Sequence, residues 1–144
     1  MLKYFIFGIS GEEWRKNMLA YWAEFEKIKH RLPKNGVAAF EHRDLHDSEI
    51  KQISFKGCIK KIITKNLLVE IENESYAGTF VHEDVKEFSF KYVSDNKKYS
   101  YLCQYLYGEI LLDSGLWNHS FICSDSMEVS IRCGKIKWVS KTHK

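Results

Sequence analysis

The chain has 144 residues, of which 44% are hydrophobic and 15% aromatic, and its formal net charge is +3. So much ring surface supplies a packed core and argues against intrinsic disorder. The length suits one domain over residues 1–144. A net charge of +3 is far from the one-sided charge of proteins that coat DNA, so the composition does not call for a nucleic-acid partner.

The start of the chain is not typical of an exported protein. The first ten residues, MLKYFIFGIS, hold an apolar run that is short for a signal peptide, and a charged segment follows at once. No stretch reaches the roughly 20 apolar residues that cross a bilayer. We therefore expect a soluble, cytoplasmic protein without a membrane partner.

The cysteines are expected to be small buried hydrophobic residues rather than disulfides. They lie in apolar or alternating stretches and include no CxxC pair, which disfavours a zinc ribbon. The four are Cys58, Cys103, Cys123 and Cys133.

One helix dominates the N-terminal part of the sequence. Residues 2–8 are predicted to form a short strand, after which Ser10 and Glu13 have the spacing of a capping box. The segment PKNG at 33–36 is expected to end the helix. Its apolar stripe, at steps of three and four residues, is typical of a helix that packs one face on a core. The stripe comprises Trp14, Met18, Tyr21, Trp22, Phe25, Ile28 and Leu32.

After this helix the apolar period changes to two, which is typical of strands. In IKQISF, Ile53 and Phe55 share a face while Ile50 is out of step, which indicates either a bulge or a later start of the strand. The segment LLVEIENE at 67–74 alternates regularly between apolar and acidic residues. Both segments are therefore predicted to be strands.

Three further stretches complete the predicted sheet. GTFVHEDVKEFSFKYV predicts a strand that ends near Val81, a turn at His82–Asp84 and a second strand beyond it. A strand is favoured from Tyr105 onward because Gly108 weakens a helix there. LWNHSFIC, MEVSIRC and KIKWV predict a meander of antiparallel strands separated at SDS and at Gly134.

Together these elements predict an α+β fold. One long N-terminal amphipathic helix packs on a curved, mainly antiparallel sheet of six to eight strands. The sequence contains no repeat and no linker, so a single domain is expected.

Polar side chains able to bind metal cluster just ahead of the first predicted strand. On a helix, His42 and His46 would share one face, but the polar segment and the strand after it argue against a helix. The preferred interpretation is structural: Asp47 closes a turn through backbone amides, with His46 packed nearby. The alternative is a metal-assisted hydrolase that uses this cluster. Its members are His42, Asp44, His46, Asp47 and Glu49.

Two charged sets are candidates for binding, although a solvated strand face and a charged tail would explain both. The acidic set is suited to docking a basic protein, and comprises Glu70, Glu72, Glu74, Glu83, Asp84 and Glu87. The basic set is suited to contacting nucleic-acid phosphates, and comprises Arg132, Lys135, Lys137, Lys141 and Lys144, with Trp138 among them.

The sequence lacks the common catalytic and cofactor motifs. VHEDV has no second histidine at the metalloprotease spacing, because that position is Lys86. There is no G-x-S-x-G elbow and no glycine-rich phosphate loop, so no cofactor and no metal is predicted. A Ser-His-Asp or Cys-His arrangement is spatial and stays open at this point.

Taken in order, several segments resemble a group of small bacterial domains. The resemblance rests on LHDxxI, formed by Leu45, His46, Asp47 and Ile50, and on DVKEFSF, YLYGEI and SFICSDSMEVSIRCGKIKW, over roughly residues 45–140. Members of that group look like accessory or immunity-type proteins of bacterial toxin systems. The pI near 8.6 departs from the acidic character of many immunity proteins. If the partner is a basic nuclease toxin, the resemblance implies that it docks on the Glu70–Glu74 face.

The sequence therefore predicts a non-enzymatic protein that neutralises a cognate bacterial toxin by occupying its active site. One alternative is the metal-assisted hydrolase of residues 42–47. The other is a nucleic-acid-binding module that uses the basic C-terminal strand, with Lys135, Lys137, Lys141 and Trp138 as its contacts.

Overall fold

The computed structural model describes residues 3–4, 10–41, 45, 48–56, 66–74, 76–92, 104–123 and 127–141. Within them the fold is α+β, as predicted, with two helices and six strands. The elements are α1 (Gly11–Ile28), α2 (Lys34–Glu41), β1 (Ser48–Lys56), β2 (Asn66–Glu72), β3 (Ala77–Tyr92), β4 (Gln104–Asp113), β5 (Leu116–Cys123) and β6 (Met127–Ser140).

Helix α1 begins as the capping box predicts. The Ser10 hydroxyl accepts a hydrogen bond from the Glu13 amide at 3.3 Å, which satisfies one of the amides that a helix start leaves unpaired. Tyr21 and Phe25, in the middle of the apolar stripe, are fully buried. The predicted core face is therefore confirmed.

The end of the first helix differs from the prediction. A single 3₁₀ turn at Lys29–Arg31 follows α1, and a second helix, α2, then starts after Pro33 instead of a loop. The Pro33 carbonyl accepts a hydrogen bond from the Val37 amide at 3.0 Å. Proline lacks an amide hydrogen that a first helical turn does not need, so it both ends one helix and begins the next.

The six strands form one antiparallel sheet in the order β1-β2-β3-β6-β5-β4. Among the described residues, β1 meets β4 only where Ser48 pairs with Tyr105 and Glu49 with Gln104. Helix α1 contacts β4, and the Tyr21 hydroxyl accepts a hydrogen bond from the Ile110 amide at 3.1 Å. Helix α1 thus supplies an acceptor for the Ile110 amide, which lies outside the described part of β4 that pairs with β1.

Strands β3 and β6 pair along almost their whole length and bend together at Asp84 and Gly134. Asp84 has φ 55°, and a Cβ at Gly134 would lie 2.9 Å from Asp84 Oδ2. His82 is buried before the bend and Val85 after it, so the strand changes face across Asp84. The predicted turn at His82–Asp84 and the predicted break at Gly134 are therefore wrong, because no strand ends at either position. Both mark a bend within a continuous strand.

The bend divides the sheet into two parts. The first half-sheet contains β1, β2, residues 77–83 of β3 and residues 135–140 of β6. The second half-sheet contains β4, β5, residues 85–92 of β3 and residues 127–133 of β6. The prolonged β3 and β6 hold the two together.

The core lies between the sheet and the helices, and it confirms several predicted faces. The alternation in β2 buries Leu67, Val69 and Ile71 as expected. The predicted irregularity in β1 is a register shift between Ile50 and Gln52. Cys123 and Cys133 are buried thiols. Cys58 and Cys103 lie outside the described residues, as does most of the strand predicted at 2–8.

Candidate functional site

A groove of about 670 Å³ crosses the outer face of the second half-sheet. Residues from β3, β4, β5 and β6 line it, together with Lys3 and Tyr4 and with Glu24 and Ile28 of α1. We call it the polar groove. Its volume is in the range of clefts that hold a small ligand or a few side chains of a partner.

The strand register explains why polar side chains gather on its floor. Residues opposite one another in an antiparallel sheet share a face. One row across the strands is therefore Ser89, Ser130, Ser120 and Glu109. The adjacent row is Glu87, Arg132, Asn118 and Leu111. In the first row the Ser120 and Ser130 hydroxyls lie 3.0 Å apart and share a hydrogen bond.

Glu109 anchors the N-terminal segment at one end of this floor. Its side chain is only 1% exposed, which is unusual for a carboxylate. The backbone amides of Lys3 and Tyr4 both donate to its oxygens, the latter at 2.9 Å. Two amides compensate for part of the cost of burying the charge, so the role of Glu109 is to hold the wall of the groove.

Arg132 stands out because its hydrogen bonding is incomplete. Its side chain is 29% exposed, and its one ion pair in the described structure joins Nη1 to a Glu87 oxygen at 3.8 Å, beyond hydrogen-bonding distance. The Nε atom is buried and has no hydrogen-bond partner among the described residues. An unpaired buried donor costs about 1–3 kcal/mol. Nothing in the described fold therefore offsets the desolvation of this Nε–H group.

The other charges of the polar groove have nearer partners. Glu24 accepts from Lys27 at 2.7 Å, and this ammonium lowers the pKa of the Glu24 carboxyl. Asp113 accepts from the Ser114 hydroxyl at 3.2 Å. Glu109 is held by two amides, and the Lys3 ammonium lies 5.2 Å from the centroid of the Tyr4 ring. Among the described groups of the groove, Arg132 is the one with a buried donor that lacks a partner.

A second polar constellation is sealed inside the core. Nδ1 of His82 lies 3.0 Å from the Leu67 carbonyl oxygen, so it carries a proton and donates. Nε2 of His82 must then accept, and it does so from Nδ1 of His119 at 2.8 Å. The remaining nitrogen of His119, Nε2, faces the Tyr105 hydroxyl at 3.4 Å. We call Tyr105, His119 and His82 the buried histidine chain.

Burial keeps every member of this chain neutral. It lowers the pKa of His82 to about 4, and burial together with the neighbouring His82 lowers the pKa of His119 well below its usual value. The pKa of Tyr105 is raised by the same burial. The rings of Phe40, Phe80 and Phe121 pack around His119 at centroid distances of 5.1, 4.8 and 5.2 Å. Each ring nitrogen has a partner, so the buried histidine chain is a satisfied part of the core.

The predicted acidic and basic sets meet on neighbouring strands. Glu83 pairs with Lys137 at 2.5 Å, and Glu70 approaches Lys141 at 3.7 Å. Asp84 pairs with Lys86 on its own strand at 2.8 Å, and Glu87 faces Arg132. Glu72 and Glu74 are exposed. The two sets therefore form one surface of alternating sign, and only Glu87 and Arg132 also line the polar groove.

The remaining predicted site residues lie either in the core or outside the described residues. Trp138 is 7% exposed and packs against Phe80 at 4.8 Å, over the bare backbone of Gly78, so its ring belongs to the core. Lys144 and the cluster His42, Asp44, His46 and Asp47 lie outside the described residues. The structure describes their neighbour Ser48, which is fully buried and accepts a hydrogen bond from the Asn73 side chain at 2.8 Å.

Sequence reasoning missed the polar groove and the buried histidine chain. The groove floor comes from four strands, and no spacing along the chain connects Ser89, Asn118 and Arg132. His82 was placed in a turn, which hid its partner His119. The available signal was the alternation of polar residues in MEVSIRC, where Glu128, Ser130 and Arg132 occupy every second position. Ser130 and Arg132 line the groove floor.

Comparison with protein-family models gives no match, and comparison with curated proteins gives none either. Within the described ranges, no histidine, cysteine, aspartate and glutamate side chains form a group of three placed to hold a metal ion. Neither of the described helices has the length and apolar composition to cross a membrane.

Proposed function

We propose that the chain is a non-enzymatic, immunity-type binding protein that acts in the cytoplasm and neutralises a cognate bacterial toxin by occupying its active site. The resemblance of residues 45–140 to immunity-type domains suggests the class. The polar groove supplies a docking surface with hydroxyl, amide, guanidinium and carboxylate groups, which are suited to recognising a protein surface rich in polar groups.

The observation that carries the proposal is a cluster of exposed aromatic rings at the edge of the second half-sheet. Among the described residues, residues 85–92 of β3 pair only with β6, so this stretch of β3 is that edge. Phe55 and Phe90 are 56% and 48% exposed. Both rings contact the ring of Phe88, at centroid distances of 5.3 and 4.6 Å. Phe88 and Phe90 alternate with Glu87 and Ser89, so their rings lie on the face of β3 opposite the groove floor. Clustered, exposed aromatic rings are typical of the anchors that carry most of the energy in protein interfaces.

The predicted acidic set enters this proposal through Glu87, which stands at the rim of the groove and is 72% exposed. Glu70 and Glu83 face lysines of the same sheet, so a partner would have to compete for them. We therefore propose that the partner covers the β3 edge, contacting the Phe55–Phe88–Phe90 rings on one side of it and Arg132 on the other, with Glu72 and Glu74 as outlying contacts. A typical interface of this kind buries about 1,600 Å² in total.

The test is to express the protein encoded by the adjacent gene, alone and together with this chain. The proposal predicts growth arrest by the former alone, rescue on co-expression, and co-elution of the two proteins on gel filtration. A double variant, Phe55→Ser with Phe90→Ser, is expected to weaken rescue. Tyr76→Ser, at a ring that is 45% exposed elsewhere on the surface, is the matched control. Absence of both rescue and a complex would contradict the proposal.

A further inference from the structure

We propose that Arg132 is the receptor for a carboxylate of the protein partner, an aspartate or glutamate side chain that enters the polar groove. This inference rests on the proposed function and names the chemistry that its binding site recognises. It is carried by the hydrogen-bonding state of the groove side chains.

The Arg132 guanidinium has hydrogen-bond donors that the described fold does not use. Arginine presents five N–H donors in a rigid planar fork that matches both oxygens of a carboxylate. Among the described residues, Nε of Arg132 has no acceptor, and Glu87 lies 3.8 Å from Nη1. A small rotation of the side chain toward an incoming carboxylate would replace this long contact with two short ones.

The groups around Arg132 are polar side chains that can also donate hydrogen bonds. Asn118 lies directly opposite on β5, and the Ser120–Ser130 hydroxyl pair lies in the next row of the same face. Amide and hydroxyl groups donate hydrogen bonds to carboxylate oxygens that the guanidinium leaves free. The floor is therefore a donor-rich surface built on strands, whose rigid backbone fixes the spacing of the donors.

The bonding state of the charged groups in the groove indicates an anionic ligand. The lining contains four carboxylates, Glu24, Glu87, Glu109 and Asp113, against the cations Lys3 and Arg132, which by number would favour a cationic ligand. However, Glu109, Glu24 and Asp113 already accept hydrogen bonds at 3.2 Å or less. Glu87 is 72% exposed and free to swing away. Among the described residues, the groups with unmet bonding are the cations: Arg132 has a buried donor without a partner, and the Lys3 ammonium contacts only the Tyr4 ring. A carboxylate therefore fits best.

Two capped tripeptides test the inference without the toxin: acetyl-Ala-Glu-Ala-amide and its glutamine counterpart. We expect the glutamate peptide to shift the Nε–H signal of Arg132 in a ¹H–¹⁵N spectrum, and to bind about tenfold or more tightly than the glutamine peptide. Binding should be lost in Arg132→Met and reduced in Arg132→Lys, which keeps the charge but not the fork. Lys137→Met, a cation on the same strand, is the matched control.

Several outcomes would overturn the inference. Equal binding of the two peptides, binding that survives in Arg132→Met, or a preference for acetyl-Ala-Lys-Ala-amide would each do so. Sodium acetate that binds as tightly as the glutamate peptide would assign the groove to free small carboxylates instead of a protein partner. If the toxin complex forms equally with Arg132→Met, this inference fails while the proposed function stands. If the glutamate peptide binds and no toxin complex forms, the proposed function fails alone.

Discussion

The buried histidine chain and the polar groove are both polar clusters held by the same strands, yet their bonding states are opposite. In the buried histidine chain, His82 and His119 each have a partner at both ring nitrogens. In the groove, Arg132 keeps a buried donor with no partner among the described residues. A fully satisfied network rigidifies a core and specifies one packing. An unsatisfied group costs stability and is retained where another molecule supplies the missing bond.

The comparison predicts opposite results when each cluster is removed. Variants in the buried histidine chain should destabilise the fold strongly. Variants at Arg132 should leave the fold intact and affect only binding.

The largest effect is expected for His119→Ala. The change removes a ring packed among three phenylalanines and leaves Nε2 of His82 without a donor. We expect the free energy of unfolding to fall by about 4 kcal/mol, from a cavity and an orphaned acceptor together. Urea unfolding measures it. His30→Ala, at an exposed histidine, should stay within about 0.5 kcal/mol of the parent. A loss below about 1 kcal/mol at His119 would contradict the structural role.

Acidification should have the next largest effect. The pKa of His82 is about 4 in the folded chain and near 6.5 when unfolded, so between these values the unfolded chain binds more protons. Stability is therefore full above about pH 6.5 and falls as the pH drops toward 4, by about 3 kcal/mol for His82. Urea midpoints across this range test it. The change in the urea midpoint between about pH 6.5 and 5 reflects protonation of the histidines, because carboxylates titrate at lower pH. A flat midpoint there would contradict neutral, buried histidines.

A smaller loss is expected for Gly108→Ala. A methyl group at this position would overlap the Tyr105 hydroxyl and ring, which lie over the bare Gly108 backbone. Displacing Tyr105 should cost about 2 kcal/mol, as overpacking of a core does. The measurement is again urea unfolding. Gly11→Ala, where a Cβ meets nothing within 4 Å, is the matched control. Equal stability of the two alanine variants would show that Tyr105 tolerates displacement.

The smallest effect on stability is expected for Arg132→Met. Its removal eliminates an orphaned donor and loses only a contact of 3.8 Å to Glu87. The variant should match the parent or exceed its free energy of unfolding by up to about 1 kcal/mol. Thermal or urea unfolding beside Lys137→Met decides this. A loss greater than about 1 kcal/mol would place Arg132 with the structural residues.

Local patterns predicted the elements that depend on neighbours in sequence. The apolar stripe of α1 and the alternation of Leu67, Val69 and Ile71 each follow from a period that the chain repeats. The bulge after Ile50 was visible because one apolar residue fell out of step. The α+β class followed from these local signals, and the structure confirms it.

Features that depend on register were beyond the sequence. Asp84 carries a positive φ inside a long strand, so a pattern that normally signals a turn marks a bend here. That bend sets which residues of β3 and β6 face outward, and thus where Arg132 lies relative to Asn118. The candidate site is built from four strands whose pairing no local pattern encodes.

The most direct test of the account is the affinity of the parent chain and of Arg132→Met for the proposed toxin, which is sought as the product of an adjacent gene. Titration calorimetry measures both affinities. The account predicts that Arg132→Met, folded as stably as the parent, binds on the order of a hundredfold more weakly, because a carboxylate of the toxin loses its guanidinium partner. Equal affinity of the two chains would contradict it.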